Sequence, residues 1–102
     1  MSAGSFTTNS VLRALQAHKA ELQQRGFAHV SLFGSAARGQ ATAGSDIDLL
    51  VELDRTKQIG FEYFATLARL EQILGRKVDV VTAPVRKPAL AARIAQDRVN
   101  AF

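Results

Sequence analysis

At 102 residues, 47% hydrophobic and 22% charged, the sequence has the make-up of one globular domain with material for a single core. The lack of cysteine excludes a disulfide framework and thiolate metal sites, and no apolar run is long enough to span a bilayer. The net charge of +4, with Arg76, Lys77, Arg86, Lys87, Arg93 and Arg98 late in the chain, favours anionic partners without choosing among nucleotides, nucleic acids and acidic proteins.

Residues 1–8 are small and polar and read as a flexible tail, leaving 9–102 as one domain. Met1-Ser2-Ala3-Gly4-Ser5 has no charged segment followed by an apolar one, so no secretory leader is read and a cytoplasmic location is expected. From Asn9 to Arg25 the period is helical, with Val11, Leu15 and Leu22 on one stripe and Gly26 as the stop. Ala28 to Phe33 alternates as a strand does. Gly34-Ser35 ends it, and Ala36-Ala37-Arg38-Gly39 is a helical turn that Ser35 is placed to cap. After a loop, Ile47 to Leu53 is the strongest strand signal. Ile59 to Leu74 is a helix with Tyr63, Leu67, Leu70 and Leu74 on one face and Gly75 as its stop. Lys77 to Thr82 is a third strand, and from Ala89 a last amphipathic helix carries Leu90 and Ile94. A small sheet with helices packed against it is the economical architecture for this order.

Two features in this order carry chemistry. Asp46 and Asp48 stand two positions apart at the head of a strand, which puts both carboxylates on one face and turns Ile47, Leu49 and Val51 to the other. Aspartate is depleted in strands, and two adjacent like charges raise each other's pKa unless a positive charge intervenes. A divalent cation removes the conflict. Hard oxygen ligands without cysteine or a nearby histidine indicate Mg²⁺ or Mn²⁺ rather than Zn²⁺. Asp79 interrupts the apolar run Val78-Asp79-Val80-Val81, and if this strand pairs beside 47–53 it lies next to Asp48. The three carboxylates would then make a two-ion site, one ion for a triphosphate and one for an acceptor hydroxyl.

Gly34-Ser35 supplies the phosphate side. Glycine admits close approach of an anion, and the next helical turn offers free N–H groups and the positive end of its dipole. The Ser35 hydroxyl and the Arg38 guanidinium are further donors within reach. Plainer accounts stand beside these: Ser45-Asp46 as a turn entry, Asp79 paired with Arg76 or Lys77, Arg38 as a surface arginine. His29 reads as a half-exposed strand residue and His18 has no assigned role. Tyr63 and the phenylalanines read as core or partner-facing surface.

Gly34-Ser35, ten residues, then Asp46-x-Asp48 resembles the signature of the DNA polymerase beta-like nucleotidyltransferase superfamily. From average composition this joint pattern arises by chance in a chain of this length on the order of once in a thousand. The fuller runs Phe33-Gly34-Ser35-Ala36-Ala37-Arg38-Gly39 and Ser45 to Val51 are similar to the minimal nucleotidyltransferases of bacteria and archaea, and the resemblance spans residues 28–82, with a weaker echo from Lys87-Pro88 to Ala95. It implies an α+β fold with a small mixed β-sheet flanked by helices, two metal ions, and nucleoside triphosphate held at the Gly-Ser turn. Asp46, Asp48 and Asp79 map onto the three catalytic, metal-binding carboxylates, and Gly34 and Ser35 onto the nucleotide-binding turn. Many such proteins pair with a HEPN-domain ribonuclease toxin, and the antitoxin resembles an enzyme that transfers AMP to a toxin tyrosine.

The expectation is therefore an Mg²⁺-dependent transfer of AMP from ATP to a hydroxyl of a protein acceptor, with a HEPN-type toxin as partner in a hetero-oligomer. Because the sequence holds this module and little else, the acceptor is expected to arrive as a separate macromolecule. The alternative is a non-catalytic antitoxin that neutralises a helical partner by contact, motivated by Leu90, Ile94 and Phe102 read as exposed. Nucleic acid is not the expected partner, because aromatic and basic residues do not interleave as they do on single-strand platforms.

Overall fold

The structure, a computed structural model, describes residues 7–42 and 44–102; the expected tail up to residue 6 lies outside the described residues. The first helix, α1 (Thr8–Ala17), starts one residue before Asn9 because Thr7 and Ser10 form a reciprocal cap. The Thr7 hydroxyl accepts from the Ser10 N–H at 3.0 Å, and the Ser10 hydroxyl accepts from the Thr7 N–H at 3.0 Å. The single helix expected as far as Arg25 is two. At His18 the backbone tightens, its N–H bonding Leu15 O at 3.1 Å, and the chain restarts as α2 (Lys19–Gln24).

The strands are β1 (Phe27–Phe33), β2 (Ile47–Leu53), β3 (Val78–Thr82) and β4 (Val99–Asn100), in the order β3-β2-β1-β4. β1 runs antiparallel to β2 and β4, while β2 and β3 are parallel, so the sheet is mixed. The short β4 was not expected. Two residues cannot show a period, but Ser31 secures the pairing by donating to Asn100 Oδ1 at 2.7 Å. One helical turn, α3 (Gly34–Ala37), follows β1; α4 (Glu62–Leu74) links β2 to β3, ending on left-handed Gly75; α5 (Pro88–Asp97) precedes β4. No helix among the described residues is long and apolar enough to cross a membrane.

Strand alternation divides the apolar residues between two faces. Val30, Leu32, Ile47, Leu49 and Val51 are fully buried beneath Val11, Leu15, Leu22 and Leu70 of the helices. The other face of the sheet holds Phe33 and Leu50, and α5 covers them with Ile94 and Leu90. This overturns the reading of α5 as an exposed apolar surface. Ile94 is only 4% exposed, Leu90 packs beside it, and Phe102 packs against the main core. The large apolar side chains in water are instead Phe61, 93% exposed, and Phe64, 68% exposed, at the start of α4. Leu15→Ala is expected to cost about 2–5 kcal/mol. Phe64→Ser should stay within about 0.5 kcal/mol of wild type, both being read from urea unfolding midpoints.

Candidate active site

The topology brings three chain segments to one edge of the sheet. β2 and β3 are parallel, so their N-terminal ends lie together, and their register pairs Asp48 with Asp79. Asp46 sits just before β2, where Ile47 N–H donates to Lys77 O at 3.0 Å. β1 runs the other way, so its C-terminal end arrives at the same edge, with Phe33 opposite Asp48 and Gly34-Ser35 next. The structure thus brings Asp46, Asp48, Asp79, Gly34 and Ser35 to one place. Asp46 and Asp79 are exposed, and Asp48 is half-buried between them and the Gly34 turn.

Gly34 is required twice over. Its φ of +71° is left-handed, and a Cβ there would fall onto Asp48 Oδ2. The Asp48 carboxylate therefore lies directly against the glycine backbone. The turn closes through Arg38 N–H to Gly34 O at 3.2 Å and Gln40 N–H to Ser35 O at 2.8 Å. The first N–H groups of such a turn have no acceptor within it and remain available to an anion.

Electrostatically the site is under stress. Burial pushes the Asp48 carboxyl above its ordinary value, the Asp79 charge pushes it further, and Asp46 adds to this; Arg93 and then Arg38 oppose them. No ion pair holds Asp46, Asp48 or Asp79 among the described residues. The Arg76 guanidinium donates to Thr42 O at 2.5 Å and Ser45 O at 3.2 Å, tying the loop before Asp46 to the start of β3. Beside Asp46 an open cavity of about 270 Å³ is lined by Gly44, Ser45, Gly75, Arg76 and Lys77.

The donor set fits a hard cation: carboxylate oxygens only, one of them made costly to ionise by its neighbours. Even so, among the described residues no three acidic, histidine or cysteine side chains converge into a ready cage.

Arg38, expected at a phosphate, points elsewhere. Its Nη1 pairs with Asp97 Oδ2 of α5 at 2.6 Å and its Nε donates to Gln40 Oε1 at 3.1 Å. The positive charge that acts more strongly on Asp48 is Arg93. In sequence it was one of several late basic residues. What singles it out is α5 lying across the Asp48 face, which becomes visible only once the strands are ordered.

Comparison with known proteins fits this geometry. The profile of the family described as nucleotidyltransferase domain matches residues 15–100. Protein adenylyltransferase MntA of Thermococcus cleftensis is 32% identical over 95 residues, covering 92% of this chain and 95% of that protein. A solved structure provisionally described as a minimal nucleotidyltransferase aligns with a TM-score of 0.73 and 28% identity, covering 95% of this chain and 98% of the other. A chain from the complex of tri-AMPylated Shewanella oneidensis HEPN toxin with MNT antitoxin shares the fold at a TM-score of 0.60 and 16% identity, covering 89% and 71%.

Proposed function

The chain belongs to the nucleotidyltransferase domain family and is a nucleotidyltransferase, and from that premise we propose that it moves AMP from ATP to a hydroxyl of a HEPN-type toxin, as the antitoxin of a cytoplasmic pair. The observation that carries this reading is Asp48, in register with Asp79 and set against the Gly34 backbone. A pair of carboxylates beside a phosphate-accepting turn is what nucleotidyl transfer needs, and an unpaired pair of this kind is a cost that binding alone does not explain. The name of the Thermococcus relative supports AMP as the group moved. The complex that shares the fold supports the kind of acceptor.

In this mechanism the N–H groups and hydroxyl of the Gly34-Ser35 turn hold the phosphate chain. Asp46, Asp48 and Asp79 would hold Mg²⁺ (or Mn²⁺), which when bound supplies neutralisation of the phosphate charge and a lowered pKa for the acceptor. The acceptor oxygen bonds to the α-phosphorus in line. The bond to the β-phosphate bridge breaks, its electron pair leaves on pyrophosphate, and the hydroxyl proton passes to the exposed Asp79 carboxylate.

The test is label transfer in lysate of the source cell, with purified protein, Mg²⁺ and α- or γ-labelled ATP, beside Asp46→Ala/Asp48→Ala protein. The expected result is one protein band labelled from α-ATP alone and by wild type alone. Labelling from γ-ATP, or by the double variant, would exclude this mechanism. Phe61 and Phe64, exposed together on one end of α4, favour a second reading in which the partner is neutralised by contact. That reading requires protein with all three Asp→Ala changes to suppress the partner as well as wild type does.

A further inference from the structure

α5 packs across the sheet face that carries Asp48: Ile94 sits on Phe33 and Leu50. The neighbouring helix face is fixed by Asp97, whose carboxylate reaches Arg38 at the end of the Gly34 turn. Arg93 lies one helical turn before Asp97 and shares that face. It is therefore turned toward the space between the turn and Asp48. No ion pair engages Arg93 among the described residues, whereas Arg25, Arg38, Arg69 and Arg98 each pair with a carboxylate. Its attraction for Asp48 outweighs that of Arg38.

We propose that Arg93 is the catalytic arginine that grips the β- and γ-phosphates of the bound nucleotide and receives the charge of the departing pyrophosphate. The inference rests on the nucleotidyl-transfer reading above. Three features support it. An arginine fork matches phosphate oxygens, and its charge is permanent. Arg38 is engaged by Asp97, whereas the Arg93 charge is held by no ion pair among the described residues. Finally, as the bond to the leaving group breaks, negative charge grows on the pyrophosphate side, where a fixed cation helps the transition state more than the ground state. Arg93 is exposed at the helix surface, so it can meet substrate without rearrangement of the core.

The test compares Arg93→Gln, which keeps the size of the side chain, with Arg93→Lys, which keeps its charge. Arg13→Gln, on the exposed side of α1, controls for net charge. The assays are steady-state label transfer, inhibition by inorganic pyrophosphate, and binding of a non-hydrolysable ATP analogue. Arg93→Gln is expected to raise the KM for ATP and the inhibition constant of pyrophosphate on the order of 10–100-fold, the scale of a lost charged hydrogen bond. The KM for the acceptor should stay at the wild-type value, and Arg93→Lys should recover part of the loss. Wild-type constants for ATP and pyrophosphate in Arg93→Gln, or an equal loss in Arg13→Gln, would overturn the assignment while leaving nucleotidyl transfer intact. Wild-type protein that neither binds the analogue nor transfers label would overturn the functional reading and this inference with it.

Discussion

Asp48→Asn is expected to lose nucleotidyl transfer on the order of 10³-fold or more and at the same time to melt at a higher temperature than wild type in the absence of divalent cations. The two effects have one cause. Asp48 is half-buried in register with Asp79, and burial together with the Asp79 charge makes its ionised form less welcome in the folded protein than in the unfolded chain. For a carboxyl group whose folded pKa is raised, ionisation destabilises the fold at neutral pH. The penalty disappears as pH falls through the raised value toward the ordinary value of 3.8. The gap in Tm between Asp48→Asn and wild type should therefore be present at pH 7 and close on acidification toward about pH 4. Because only the difference between the two proteins is read, the titration of other groups cancels to first order. Mg²⁺ should raise the Tm of wild type and leave that of Asp48→Asn nearly unchanged, since ligation rewards only the protein that can bind. A variant that melts below wild type at neutral pH would mean that Asp48 is a structural carboxylate.

How much of this was readable from sequence depends on how local each signal is. Ile47, Leu49 and Val51 against Asp48 is an alternation confined to one strand, and it carries the strand and its buried face together. Asp79 needed only a neighbouring strand in register, which an apolar run interrupted by a carboxylate suggests and the β2–β3 pairing provides. Non-local features were hidden. Leu90 and Ile94 form an amphipathic stripe that fits a surface facing a partner as well as one facing the sheet. Which holds depends on whether the second face of the sheet is bare, a question settled by Phe33 and Leu50 from other elements. Arg38 follows the phosphate turn by only a few residues and so looked like its companion; Asp97, far along the chain, captures it. Arg93 lacked any local mark, because its position relative to Asp48 is set by the packing of α5. The two-residue β4 and the break at His18 rest on a few hydrogen bonds that no periodicity records.

Gly34→Ala is expected to damage stability and activity through the same contact. The left-handed backbone alone costs a non-glycine residue about 1–2 kcal/mol. The added methyl also meets Asp48 Oδ2, so either the carboxylate or the strand end must move, at about 1–3 kcal/mol for overpacking. Displacing Asp48 by even a fraction of an ångström should lower transfer on the order of 10²-fold. Gly75 separates the two costs: its φ is +67°, and a Cβ there meets nothing within 4 Å, so Gly75→Ala bears the backbone cost alone. A double-mutant cycle then isolates the contact. In protein that already carries Asp48→Ala the carboxylate is gone, and the penalty for Gly34→Ala in urea unfolding should fall back to that of Gly75→Ala. A penalty at Gly34 that is the same in both backgrounds would mean that backbone conformation, and not Asp48, forbids a side chain there. The glycine of the turn would then be a feature of folding, and its tie to the carboxylate site would be lost.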